Sequence, residues 1–164
     1  MKMKTFIKIN LLVLSMLAVM SSAQAQNATY IANHKIIASV LSQRYGIPAP
    51  VILAVAAIES SGGKAPVAKV LNNHFGMCGK NNIVNHKGHK SRYKQYDNEL
   101  ESYLDFCGMI SRKSFYSRLK DNENCRAWIK AMSHAGYSEV PAEWEAKVLG
   151  ALSRIEYSME LAAQ

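Results

Sequence analysis

Val51–Gly63, VILAVAAIESSGG, decides the fold. Every residue from Val51 to Ile58 is apolar, one carboxylate follows at Glu59, and after it come only small residues. Pro48 and Pro50 precede the run and suit a helix start, because a first-turn N–H has no intrahelical partner to lose. The stretch predicts a helix over about 50–60. A helix that is apolar on every face lies in the middle of a protein, so the other elements have to wrap around this one. Glu59 at its end is costly if buried unpaired. Beside Ser60-Ser61-Gly62-Gly63 it can instead face a cleft, with the greasy helix behind it and room for a ligand in front. Desolvation raises a carboxyl pKa, and a Glu tuned upward can donate a proton to a leaving oxygen. Glycosidic cleavage needs that proton. The stretch alone also allows a plain cap or ion pair, since structural pairs perturb pKa values too.

Outward from this helix the pattern stays mostly helical. Ile36, Ile37, Val40 and Leu41 recur at helical spacing within 29–44, and Gly46 is a good stop. Residues 61–78 carry Gly62, Gly63, Pro66, Asn72, Asn73 and Gly76 and read as loop with one short turn of helix. Ile83-Val84, then Lys87-Gly88, then Tyr93 and Tyr96 predict a small β-hairpin over 79–96. Asn98 and Glu101 resemble a capping box. Leu100, Tyr103, Leu104, Cys107 and Ile110 then mark one helical face. Trp128, Ile129 and Met132 point inward from a helix over 123–134 that Gly136 closes. A last helix after Pro141 carries Trp144, Val148, Leu149, Leu152 and Ile155. The expected class is α+β, mostly α, with one small β element.

The N-terminus has a separate character. Lys2, Lys4 and Lys8, the apolar run Leu11–Met20 and Ala23-Gln24-Ala25 have the order of a secretory signal peptide over 1–25. The apolar run is shorter than the roughly 20 residues a spanning helix needs, so no stable membrane insertion is expected after cleavage. Residues 26–164 then form one exported domain, periplasmic or extracellular. Three of the 20 Lys and Arg residues and none of the 12 acidic ones fall in the signal, which leaves a charge of +5. That balance suits an anionic partner such as cell wall. The basic residues are not interleaved with aromatics on one face, which argues against nucleic acid. Cys107, on an inward helical face, and Cys125, opening the next helix, are the expected disulfide, with Cys78 left over. No Cys or His spacing matches a zinc motif. His86 and His89 read as exposed hairpin residues, and neither a metal nor another cofactor is expected.

Four stretches in order, YGIPAPVILAVAAIESSGG, NNHFGMCGK, YKQYDNELESYLDF and AGYSEVP, resemble the bacterial endo-β-N-acetylglucosaminidases of glycoside hydrolase family 73, which include flagellar and autolysin cell-wall hydrolases. The resemblance spans about Ile31 to Met159. It implies a lysozyme-like fold with an α-lobe, a small β-hairpin lobe and a cleft between them. It implies hydrolysis of the N-acetylglucosaminyl-β-1,4-N-acetylmuramyl bond of peptidoglycan glycan strands; the sequence leaves open whether a cell-envelope assembly partner exists. Glu59 falls on the family's catalytic acid and Tyr137 on the tyrosine bordering the reacting sugar. Asn73 and Phe75 fall on the cleft-floor motif; Ser60 and Tyr96 join them as expected substrate-binding residues.

There are departures. Gly62 stands where the family usually has Trp, and Trp144 is displaced by one residue from the family's aromatic. The family often places a second carboxylate in the β-lobe, yet residues 79–96 contain no Asp or Glu. Asp97, Glu99 and Glu101 are nearest, at a helix start where they suit the helix dipole. Attack by the substrate's own acetamido oxygen would replace the missing acid. Two rival readings are a lytic transglycosylase of related fold and a non-catalytic wall-binding module.

Overall fold

The computed structural model of the chain describes residues 28–82 and 91–161. The expected signal peptide and the expected hairpin tip, with Ile83-Val84, His86, Lys87-Gly88 and His89, lie outside the described residues. Among the described residues, seven helices follow in order: α1 (28–45), α2 (Ala49–Glu59), α3 (Pro66–Leu71), α4 (Glu99–Ser111), α5 (Tyr116–Leu119), α6 (Cys125–His134) and α7 (Pro141–Leu161).

Helix α2 is the axis. Pro50 sits in its first turn, and Val51 to Ala57 are all buried. It packs chiefly on α7, and α6 closes against both. Helix α7 delivers Trp144, Val148, Leu152 and Ile155 to the core, and α6 delivers Trp128, Ile129 and Met132. Each fully buried Leu, Ile or Val contributes about 1.5–3 kcal/mol relative to exposure, so the all-round burial of α2 dominates the packing. Helix α4 begins as its sequence suggests: the Asn98 side chain accepts from Glu101 N at 3.1 Å. The returning bond differs, because the Glu101 carboxylate accepts from Asp97 N at 3.1 Å and not from Asn98.

Four sequence expectations change. On α1 the buried stripe is Tyr30, His34, Ala38 and Leu41, while Ile36 and Val40 are 69% and 57% exposed. Both stripes have helical spacing; the one with flat Ala38 and a ring-bearing end docks closer. On α4, Leu100 faces outward and Phe106 takes the core position. Cys107 and Cys125 are not a disulfide: all three cysteines are free thiols. Cys107 lies in the α4 core, where burial pushes its pKa up to about 12. Cys125 sits near Glu156 of α7, and burial raises its pKa to about 11. Finally, the expected hairpin contains no strand among the described residues. Cys78 and Tyr93 form one antiparallel bridge, supported by Gly79 N to Arg92 O at 2.9 Å and Lys94 N to Met77 O at 2.8 Å. The Asn81 amide donates to Ser91 O at 2.6 Å and Tyr93 O at 2.7 Å. These side-chain bonds occupy carbonyls that a longer ladder would use.

Gly46 ends α1 at φ 63°. A Cβ there would meet Asp121 Oδ1 and lie 2.9 Å from Asp121 N, which donates to Gly46 O at 2.9 Å. Gly46→Ala is therefore expected to cost about 1–3 kcal/mol from positive φ alone, with the close approach adding to it. Chemical denaturation of the two proteins measures the difference.

Candidate active site

Glu59 is the last residue of α2, and its carboxyl enters a cleft of 640 Å³. The cleft is lined by Phe75, Gly76, Arg92, Tyr93 and residues 136–140, among others. Two forces act on the carboxyl. Burial raises its pKa, and a bond from Trp144 partly offsets that rise. Trp144 Nε1–H donates to Glu59 Oε1 at 2.7 Å, which fixes one oxygen. The other, Oε2, faces Gly76, where even an added Cβ would stand 3.7 Å away. One oxygen is thus held and the other opens on the cleft.

Tyr137 follows Gly136, which takes φ 73° after α6. Its ring packs against Trp144 at 5.0 Å and edge-on to Phe106 at 6.0 Å. Its hydroxyl is buried without a hydrogen-bond partner. Burial, and then the nearby Glu59 charge, hold its pKa well above the usual tyrosine value. A buried hydroxyl left unmatched costs about 1–3 kcal/mol, and the residue that carries it lines the cleft.

Of the other sequence-predicted residues, Phe75 lines the cleft and stacks on Phe106 at 4.1 Å. Asn73, Ser60 and Tyr96 are buried behind it. The Asn73 amide donates to Met77 O at 2.8 Å and Lys94 O at 2.7 Å, and its oxygen accepts from Met77 N at 3.0 Å. It ties the Gly76 loop to the 91–96 segment. Ser60 Oγ donates to Ala56 O at 2.6 Å and accepts from Gly63 N at 2.8 Å, closing the turn after Glu59. Tyr96 donates its hydroxyl to Asp105 at 2.6 Å. These three shape the loops around the cleft.

Two of the acids near α4 are engaged elsewhere: Glu101 caps the helix and Glu99 meets two histidines. Reading the sequence missed the cleft residues Arg92, Tyr93, Lys113 and Glu139. Glu139 lies two residues after Tyr137, inside AGYSEVP, so the motif itself held the signal for it.

The family model for glucosaminidases, described as mannosyl-glycoprotein endo-beta-N-acetylglucosaminidase, matches residues 35–157. The chain belongs to the glucosaminidase family. This glucosaminidase is accordingly a glycoside hydrolase. No curated protein sequence matches it. Among solved structures it is similar to the glycoside hydrolase domain of FlgJ from Salmonella typhimurium, with TM-score 0.68 and 22% identity over 84% of this chain and 92% of that one. It is also similar to a peptidoglycan hydrolase from Sphingomonas sp. A1, with TM-score 0.59 and 19% identity over 79% and 93%. The catalytic domain of the autolysin Auto from Listeria monocytogenes gives TM-score 0.60 and 20% identity over 80% and 87%. These likenesses establish the fold.

Trp144 gives the glucosaminidase site a pH signature. Its bond lowers the Glu59 pKa against burial. Trp144→Phe removes the donor, so the acid holds its proton to higher pH. If Glu59 is the essential acid, the alkaline limb of kcat/KM should move upward. Loss of the fixed oxygen should also lower kcat, by up to about 10²-fold. A pH–rate profile on purified sacculi checks both.

Proposed function

We propose that this glucosaminidase hydrolyses the N-acetylglucosaminyl-β-1,4-N-acetylmuramyl bond of peptidoglycan, with Glu59 as general acid. The observation that carries the reading is the divided Glu59 carboxyl: Oε1 fixed by Trp144, Oε2 open on the cleft, and burial favouring the protonated form. A proton on Oε2 passes to the departing glycosidic oxygen, because an unprotonated alkoxide is a poor leaving group. The substrate's 2-acetamido carbonyl oxygen then attacks the anomeric carbon. Tyr137 donates its unmatched hydroxyl to that group and holds it in line. Water subsequently opens the cyclic intermediate and returns a proton to Glu59. Arg92 and Lys113 line the cleft and suit the carboxylates of muramyl units and peptide stems. The signal-like residues 1–25 would deliver the enzyme to the envelope, periplasmic or extracellular.

One observation favours a second reading. Glu139 lines the same cleft as Glu59 and could activate a water in place of the acetamido group. Two assays separate the alternatives. Under substrate assistance, de-N-acetylated glycan is cut poorly and Glu139→Gln, Asp97→Asn, Glu99→Gln and Glu101→Gln each retain most activity. Loss of turnover in Glu139→Gln with the fold intact, and normal cleavage of de-N-acetylated glycan, would replace substrate assistance with a Glu139 base.

A further inference from the structure

The glucosaminidase holds a second cluster that shares no lining residue with the Glu59 cleft. His34 from α1, His74 from the loop after α3 and Glu99 from the first turn of α4 converge, with one ligand atom of each within 4.8 Å of the others. Both histidines are buried. His34 Nε2 lies 3.0 Å from Glu99 Oε2, and His74 Nε2 lies 3.6 Å from the same oxygen.

The outer nitrogens are already committed. His34 Nδ1 lies 2.7 Å from Tyr30 O, which accepts only, so Nδ1 carries the proton. In the neutral ring Nε2 then presents a lone pair to a carboxylate oxygen at 3.0 Å. Two acceptors at that distance need either a proton or a metal ion between them. His74 Nδ1 lies 2.7 Å from the Tyr30 hydroxyl, which meets the Tyr103 hydroxyl at 2.8 Å. With Nδ1–H donating into that chain, His74 Nε2 is a second lone pair aimed at the same oxygen.

We infer that His34 Nε2, His74 Nε2 and a Glu99 carboxylate oxygen bind one divalent transition metal of the zinc class. Two imidazoles and a carboxylate are a standard zinc donor set, with metal–ligand distances of about 2.0–2.2 Å. Tetrahedral ligands at those distances stand about 3.3 Å apart; the two contacts to Glu99 bracket that value, and the three ligand atoms, within 4.8 Å of one another, draw closer on binding. The Tyr30 carbonyl and hydroxyl supply the outer hydrogen bonds that orient metal-bound histidines. A groove of 470 Å³, lined by Asn33, Lys64 and Asn72 among others, leaves the fourth position open to water. Sequence reading missed the set because its members are 40 and 25 residues apart and follow no spacing rule. The metal would staple α1 and α4 to the loop whose next residues, Phe75 and Gly76, wall the catalytic cleft. Such a clip takes the stabilising place that the expected disulfide does not fill.

The test is zinc titration of the metal-stripped full chain by calorimetry, with cobalt(II) followed by its visible d–d absorption. The native chain should bind one ion, gain thermal stability with it and show a tetrahedral cobalt spectrum. Glu99→Gln, on a half-exposed side chain that leaves the core intact, should weaken binding at least about 100-fold, beyond the loss typical of an outer-shell change. His34→Gln should do the same. Failure of the native chain to take up zinc would overturn the site. So would binding unchanged in both variants, which would put the ion on other His or Cys residues. Either result leaves the reading of the Glu59 cleft untouched.

Discussion

Glu59→Gln is expected to lower turnover on sacculi by about 10²–10⁴, the usual loss when a general acid is removed. The fold should survive, because the Gln oxygen still accepts from Trp144 Nε1, which donates to Glu59 at 2.7 Å. The variant should also be more stable than the native chain at neutral pH. Burial raises the folded-state pKa of Glu59 above its ordinary 4.5. Between those two values the folded chain binds a proton that the unfolded chain has released, so stability falls as pH rises through that window. Below pH about 4.5 both states are protonated and the native chain bears no such penalty. The stability difference between variant and native chain should therefore open on going from acid to neutral pH. Full turnover in the variant, or a stability difference with the opposite pH dependence, would remove Glu59 from the role assigned to it.

Tyr137→Phe is expected to split stability from activity. The hydroxyl is buried and unmatched in the free enzyme, so deleting it should leave stability unchanged or raise it by up to about 1–3 kcal/mol. The ring contacts with Phe106 and Trp144 persist. If the hydroxyl orients the acetamido group, its loss should lower kcat by about 10²-fold, the scale of a misplaced reacting group. A purely structural hydroxyl would give the reverse: lost stability with normal turnover. Paired denaturation curves and rates on sacculi distinguish the two.

What could be read from the sequence follows from how far apart the deciding residues lie. Helix α2 was legible because Pro48 and Pro50 open an apolar run that reads as a buried helix, and its terminal Glu59 could then be placed at a cleft. The Asn98 cap and the inward faces of α6 and α7 are also local patterns. The docking face of α1 was not, because Ile36 and Val40 keep the same period as the buried Tyr30, His34, Ala38 and Leu41. Periodicity gives a stripe and not the surface that receives it. Ser60, Asn73 and Tyr96 sit within the right motifs, yet their hydrogen bonds run to turn and loop backbone and to Asp105. A motif marks a neighbourhood without saying which side chain faces the ligand. Trp144 reaches Glu59 from 85 residues away, and His34 reaches Glu99 from 65 away. Only folding brings such pairs together.

Mass spectrometry of muropeptides released from purified sacculi by residues 26–164 tests the central claim most directly. The account predicts new reducing ends at N-acetylglucosamine, produced by the native chain and lost in Glu59→Gln. Products ending in anhydro-muramic acid would make the enzyme a lytic transglycosylase, reducing muramic acid would place the cut at the alternate bond, and either would contradict it.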